Sequence, residues 1–198
     1  YKINFYDDDD CRQFLKTYYG DFYVKKFNEI PKGAHKADFF RYCLLYIKGG
    51  IYIDIKLVPK INFNLLFDHK THNLLYTCLG MTTLSGKNYQ IFQAIIATFP
   101  RNPFIKYLIQ DFFNNQITYF SKQDYLIYTK RFYQLLLKSK GSALNNGNNK
   151  IISQKVILFN EVNKKLYSDE KKDRYDGYHN ILYNNKHIFK SRYNDFPW

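Results

Sequence analysis

The sequence predicts a mixed α/β fold, and three observations in one short stretch carry that prediction. From Ala34 to Lys48 apolar residues recur at helical spacing, with Ala37, Phe40, Leu44 and Ile47 on one face and Cys43 beside them. Gly49-Gly50 then stops the helix, because glycine adopts the left-handed backbone of a C-terminal cap without steric cost. Ile51-Tyr52-Ile53-Asp54-Ile55 follows, β-branched and aromatic, and reads as one strand ending at Pro59. A helix, a glycine stop and a strand make the unit from which α/β folds are assembled.

The other elements fall into place around that unit. Tyr1 to Phe5 alternates weakly and reads as a short strand or an extended arm. The aspartates Asp7 to Asp10 precede an apolar-periodic stretch, as expected of a helix N-terminus, where exposed N–H groups and the helix dipole favour negative charge. Pro31-Lys32-Gly33 is a break. Leu74 to Leu79 reads as a buried strand, and Tyr89 to Phe99 as a helix or a strand–helix junction. Pro100 and Pro103 bracket a turn, after which Phe104 to Asn114 and Asp124 to Leu137 are expected to be helices. Residues 142–150 are a low-complexity Asn/Gly loop, and Val156 to Phe159 is a strand. Ile181 to Tyr183 and His187 to Phe189 flank Asn184-Asn185, a two-residue hairpin turn. The whole, residues 1–198, reads as a single domain.

Composition narrows the partners. Thirty Lys and Arg against 17 Asp and Glu leave a net charge of +13 and a pI near 9.5. That implies an anionic partner: nucleic acid, a phosphorylated small molecule or an anionic membrane surface. Aromatic residues make up 20% of the chain, too many for a disordered basic tail. Cys11, Cys43 and Cys78 are odd in number and widely spaced, so neither a disulfide framework nor a zinc site is indicated. No run of 18 apolar residues exists, and no membrane span is expected in this sequence. The chain begins without Met and without a signal peptide. A cytoplasmic or viral/host-cytosol setting follows, with the Golgi lumen as the alternative if an anchor lies outside the sequence.

Candidate chemistry concentrates between Lys36 and Lys56. Asp38 and Arg41, three residues apart, share a helix face that is expected to lie opposite the apolar stripe. Taken alone they read as a surface ion pair. Asp54 ends its strand at the carboxyl edge of the expected sheet, where open α/β folds bind ligands. Between Pro31 and Asn160 the only carboxylates are Asp38, Asp54, Asp68, Asp111 and Asp124. Asp68 reads as a loop residue, and Asp111 and Asp124 as helix-surface or capping residues.

The string from Lys36 to Lys56 resembles the core signature of glycosyltransferase family 32, related to yeast initiating mannosyltransferases and clostridial glucosylating toxins. The matching residues are Ala37, Asp38, Arg41, Tyr42, Leu45, Tyr46, Gly49, Gly50, Ile51, Tyr52 and Asp54. Weaker likeness extends over residues 5 to 110. The resemblance implies a GT-A-like nucleotide-sugar-binding fold, a mixed central sheet flanked by helices. It also implies transfer of a sugar from a UDP- or GDP-sugar to a glycan or protein acceptor, with retention at the anomeric carbon. By position, the catalytic set is Asp54, Arg41 and Asp38. The donor-binding set is Asp38, Arg41, Tyr42, Gly50, Tyr52, Asp54 and Lys56. Arg41 offsets charge on the leaving group, and Asp54 is the first aspartate of a DXD motif and the expected metal contact.

Two features depart from the family pattern. The second aspartate of DXD is replaced, giving Asp54-Ile55-Lys56, a form that resembles viral and bacterial members. Mn²⁺ and Mg²⁺ prefer oxygen ligands, and a protonated lysine offers none, so metal dependence is expected to be weakened. The family's usual first strand is not seen ahead of Tyr1. His35, just before the signature helix, is a candidate to approach the donor. His179 and His187 are candidates for a later metal ligand. The basic run Lys186 to Tyr193, with Lys190 and Arg192, is a candidate to close over a diphosphate. Two rival readings stand beside this one. A nucleic-acid-binding module suits the charge, but the basic residues are spread out and no binding motif is present. An inactive relative that kept the fold as a binding or scaffold protein is the other.

Overall fold

The computed structural model describes residues 1–68, 70, 74–80, 90–121, 125–141, 147–151, 154–163 and 178–192. Its elements run α1(Asp8–Tyr19), α2(Asp21–Glu29), α3(Gly33–Lys48), β1(Gly50–Ile53), β2(Leu57–Pro59), α4(Phe63–Leu66), β3(Leu74–Gly80), β4(Gln90–Thr98), α5(Pro103–Ser121), α6(Ile127–Lys140), β5(Gly147–Ile151), β6(Gln154–Asn163), β7(Tyr178–Tyr183) and β8(Lys186–Arg192). The chain divides into two compact units, residues 1–49 with 100–128 and residues 50–99 with 129–198. Every described strand belongs to the second. The mixed α/β class expected from the sequence is the class observed.

In the helical unit, the aspartate run is a helix start. Asp7 caps α1: its Oδ1 accepts the N–H groups of Asp9 and Asp10 at 2.9 and 2.8 Å, and Asp10 Oδ2 accepts the N–H of Asp7 at 3.2 Å. This reciprocal box satisfies donors that a helix start leaves open. The residues before it form no strand. On α5, Pro103 takes the first helical position, and Asn102 Oδ1 accepts from Phe104 and Ile105 N–H at 2.9 and 3.3 Å.

Helix α3 starts at Gly33 and ends where expected, with Gly49 N–H bonded to Leu45 O at 2.8 Å. Gly49 and Gly50 have φ of +63° and +98°, two successive left-handed residues that only glycine adopts freely. The expected face of α3 is only part of what it buries: Phe40 and Cys43 are buried and Ala37, Leu44 and Ile47 half-buried, but His35, Asp38, Phe39, Arg41, Tyr42 and Leu45 are buried as well. Phe39 stacks on Phe112 of α5 at 4.4 Å. An apolar-stripe reading takes in only part of such a helix, because two charged residues that neutralise each other can be buried too.

The sheet runs β1-β4-β3-β6-β7-β8-β2, with β5 added on β6; β3 and β6 are parallel and the other pairs antiparallel. Tyr89 to Phe99 gives strand β4 in place of the expected helix or junction. Paired on both sides and buried from Gln93 to Thr98, β4 shows no alternation that would mark it as a strand. The expected 142–150 loop is also corrected, since Gly147–Ile151 is strand β5; residues 142–146 lie outside the described residues. The hairpin turn is as expected, with Asn184 and Asn185 at φ of +49° and +60° between β7 and β8.

The single strand expected from Ile51 to Pro59 is two strands broken at Asp54-Ile55-Lys56. Those two strands sit at opposite ends of the sheet order. Seven flat strands about 4.8 Å apart would separate their ends by about 29 Å. The four Cα steps from Ile53 to Leu57 span at most about 15 Å. The sheet therefore curls until its ends approach, and the Asp54–Lys56 turn closes the seam.

All three cysteines are free and buried. Burial, and then the carboxylates Asp8, Asp10 and Asp7, push the Cys11 thiol up to about 12; burial pushes Cys43 and Cys78 up as well. Above about pH 9 the unfolded thiols ionise while the folded ones stay protonated, so this contribution to stability is lost as pH rises. At pH 8 the native protein should leave all three thiols unreactive toward a disulfide reagent, and urea-unfolded chains should release three equivalents.

Candidate functional site

Asp38 and Arg41 are not a surface pair. They are 8% and 5% exposed, and Arg41 Nη2 lies 3.2 Å from Asp38 Oδ1. Arg41 Nε also donates to Ala37 O at 3.1 Å, which holds the guanidinium along the helix. Exchanging a buried ion pair for packed apolar residues is often neutral or stabilising, whereas removing one partner alone is strongly destabilising. Tyr42 beside it is 2% exposed.

In the sheet unit, Asp54 is held by its backbone on both sides. Its N–H donates to Ala94 O of β4 at 2.8 Å, and its carbonyl accepts from Leu57 N–H at 2.9 Å, closing a tight turn. The acceptor Ala94 sits in an irregular part of β4, where the β3–β4 register shifts between Tyr76 and Cys78. Such irregularities re-aim strand ends near functional sites. Tyr52, two residues back and on the same strand face, donates its hydroxyl to Asp54 Oδ1 at 2.8 Å. The carboxylate is thereby fixed in direction. Asp54 and Lys56 are half-buried, and Ile55 between them is 78% exposed.

The other candidates divide differently. His35 is 3% exposed, with Nε2 3.1 Å from Tyr125 O and its ring edge-on to Tyr128, so it is packed in the core of the helical unit. Asp111 is 6% exposed, with Oδ1 accepting from Asn115 Nδ2 at 3.1 Å, not the surface residue expected. Asp68 is an exposed loop residue, its Oδ1 accepting Lys70 N–H. Asp124 lies outside the described residues. His187 is exposed at the hairpin end of β8, four residues before Ser191, the partner of Leu57. At about 3.4 Å per residue that is about 14 Å along the strand, too far to share a metal with Asp54. His179 pairs with Ser191 and so lies in the row of Leu57.

Glu161 lies one residue beyond the 31–160 stretch and is a further carboxylate of the sheet unit. It is 5% exposed on β6, and after burial itself its charge is the main cause that raises the Cys78 thiol. A charge interrupting the apolar run from Val156 to Val162 was the signal for it. Among the described residues, no group of three or more His, Cys, Asp or Glu is placed to hold a metal ion.

Comparison with known proteins covers the stretch of chain that holds these residues. Residues 2–72 match the glycosyltransferase sugar-binding region containing DXD motif. This sugar-binding region takes in the buried Asp38–Arg41 pair and the Asp54–Lys56 turn. An uncharacterized glycosyltransferase of Acanthamoeba polyphaga mimivirus is 31% identical over 116 residues, covering 59% of this chain and 44% of the relative. Initiation-specific alpha-1,6-mannosyltransferases of Schizosaccharomyces pombe and Candida albicans are 39% and 37% identical over 62 and 60 residues, each match covering 29% of this chain and 16% of the relative. The chain thus spans less than half the length of these relatives.

The buried pair sets a stability prediction. Arg41→Ala leaves the Asp38 carboxylate buried without its guanidinium and should cost roughly 3–5 kcal/mol. The double variant Asp38→Leu/Arg41→Met should recover most of that loss in urea unfolding. Single variants that unfold no earlier than the native protein would show that the pair is solvated.

Proposed function

We propose that this protein transfers a sugar from a UDP- or GDP-sugar to a glycan or glycoprotein acceptor, with retention at the anomeric carbon. The observation that carries the reading is the Asp54–Lys56 turn: a DXD-type segment within the matched region, with its first carboxylate oriented by Tyr52. In the transfer, the bond between the anomeric carbon and the diphosphate oxygen breaks. A bond to an acceptor hydroxyl oxygen forms, and the nucleoside diphosphate departs and takes up the hydroxyl proton, directly or through water. The demand on the protein is positive charge placed where the leaving group becomes negative.

Arg41 and Lys56 meet that demand in this reading, Arg41 held in direction by Asp38. Asp54 contacts the ribose or the sugar. Tyr42, Gly50 and Tyr52 complete the donor-binding set. The family resemblance supports retention. Hard divalent cations take six or more oxygens, and this turn supplies one carboxylate and one ammonium. That donor set fits Mn²⁺ or Mg²⁺ only as an ion shared between Asp54 and the diphosphate oxygens. Bound there, the ion would supply further neutralisation of the leaving group. In compartment terms, no described helix is long and apolar enough to cross a membrane.

Asp54→Ala removes a half-buried side chain at a turn, so it should stay folded and lose both transfer and donor hydrolysis in a panel of UDP- and GDP-sugars. A folded Asp54→Ala protein with full activity would sink the assignment. For Lys56, nucleotide binding in the native protein should survive EDTA with a modest loss, and Lys56→Ala should weaken it. Lys56→Asp changes the turn by two charge units and should make binding strongly dependent on added Mn²⁺. Native binding that vanishes on chelation, together with normal binding by Lys56→Ala, would remove the lysine from this scheme.

A further inference from the structure

Sheet register brings a distant part of the chain to the Asp54–Lys56 turn. Leu57, next to Lys56, pairs with Ser191 of β8, and Val58 pairs with Lys190. Residues directly opposite in an antiparallel pair project to the same face, and faces alternate along each strand. Lys190 therefore shares the face of Val58. Lys56 lies in the turn one residue before Leu57, at the end of the ladder that carries Lys190. Each lysine carries a flexible four-carbon stem. Two ammoniums so placed reach one anion of diphosphate size.

Charge supports an anion at this place. The sheet unit carries 18 Lys and Arg against 8 Asp and Glu, whereas the helical unit carries 12 against 9. Lys190 is half-buried, so its stem is packed while the strand holds its direction.

We propose that Lys190 is a second cationic contact for the diphosphate of the nucleotide-sugar, acting with Lys56 from the neighbouring strand. It rests on the transfer reading above and deepens it: two lysines on adjacent strands supply part of the charge that a divalent ion supplies beside a full DXD. The pair favours a diphosphate over a monophosphate, because one ammonium can attend each phosphoryl group.

The test is calorimetric titration in EDTA with UDP, GDP and inorganic pyrophosphate, using native protein and three folded variants. Lys190→Gln keeps most of the stem and removes the charge; it should weaken nucleoside diphosphate and pyrophosphate binding about tenfold, the scale of one charge-assisted hydrogen bond. Lys190→Arg should bind within about twofold of native. Lys155→Ala removes an exposed charge from β6 of the same sheet, outside the basic run, and should change nothing. Equal affinities for Lys190→Gln and Lys155→Ala would overturn the role of Lys190 while leaving the transfer reading standing. If the native protein binds none of UDP, GDP or pyrophosphate, with or without Mn²⁺, the transfer reading falls and takes this proposal with it. A melting curve on each variant guards against loss by unfolding; if Lys190→Gln does not fold, Lys190→Met carries the same comparison.

Discussion

The constraint on which the sheet unit depends is the shortness of the Asp54–Lys56 turn. Three residues join strands that occupy opposite ends of the sheet order. Chain reach then forbids a flat sheet, and curling becomes obligatory. The Asp54 N–H and carbonyl are both consumed in holding the turn, one against β4 and one within the turn itself. A carboxylate and an ammonium are thereby delivered to the seam on a backbone that has little freedom to drift. Sites carried on such fixed backbone keep their geometry without ligand.

The strand that leaves the turn brings in a distant part of the chain. β2 pairs with β8, so that residues more than a hundred positions apart meet across one ladder. The buried pair in α3 is organised in the opposite way. Asp38 and Arg41 are one helical turn apart, and helix geometry alone brings them together. One part of the proposed chemistry is local in sequence and the other is topological. Only the first can be seen without a fold.

That difference explains what was legible. The capped start of α1, the glycine end of α3, the Asn184-Asn185 turn and the strand β3 were all readable, because each is set by local backbone chemistry. The signature residues were readable for the same reason. The buried side of α3 was read only in part because two opposite charges at i, i+3 spacing look like solvated residues until their burial is known. Strand β4 was misread because a strand covered on both faces loses its period of two. The split of Ile51–Pro59 was hidden because Ile55 and Leu57 continue the apolar pattern straight through the turn. Glu161 and Lys190 acquire meaning only from the partners that the register gives them.

The replacement of a second aspartate by Lys56 changes the electrostatics of the turn more than its shape. Two carboxylates in so short a turn repel each other and repel a diphosphate, so they require a divalent cation between them. An aspartate and a lysine give a turn of zero net charge, and the ammonium attracts the anion directly. What is lost is Lewis-acid strength, since a lysine concentrates one charge where Mn²⁺ concentrates two. A lone ammonium therefore cannot match the ion for a leaving group that carries two negative phosphoryl groups. In the proposed transfer a further cation from an adjacent strand would restore the missing unit, and β8 is the strand paired with β2 beside the turn. The sequence change at one position and the pairing of β2 with β8 thus bear on the same electrostatic requirement.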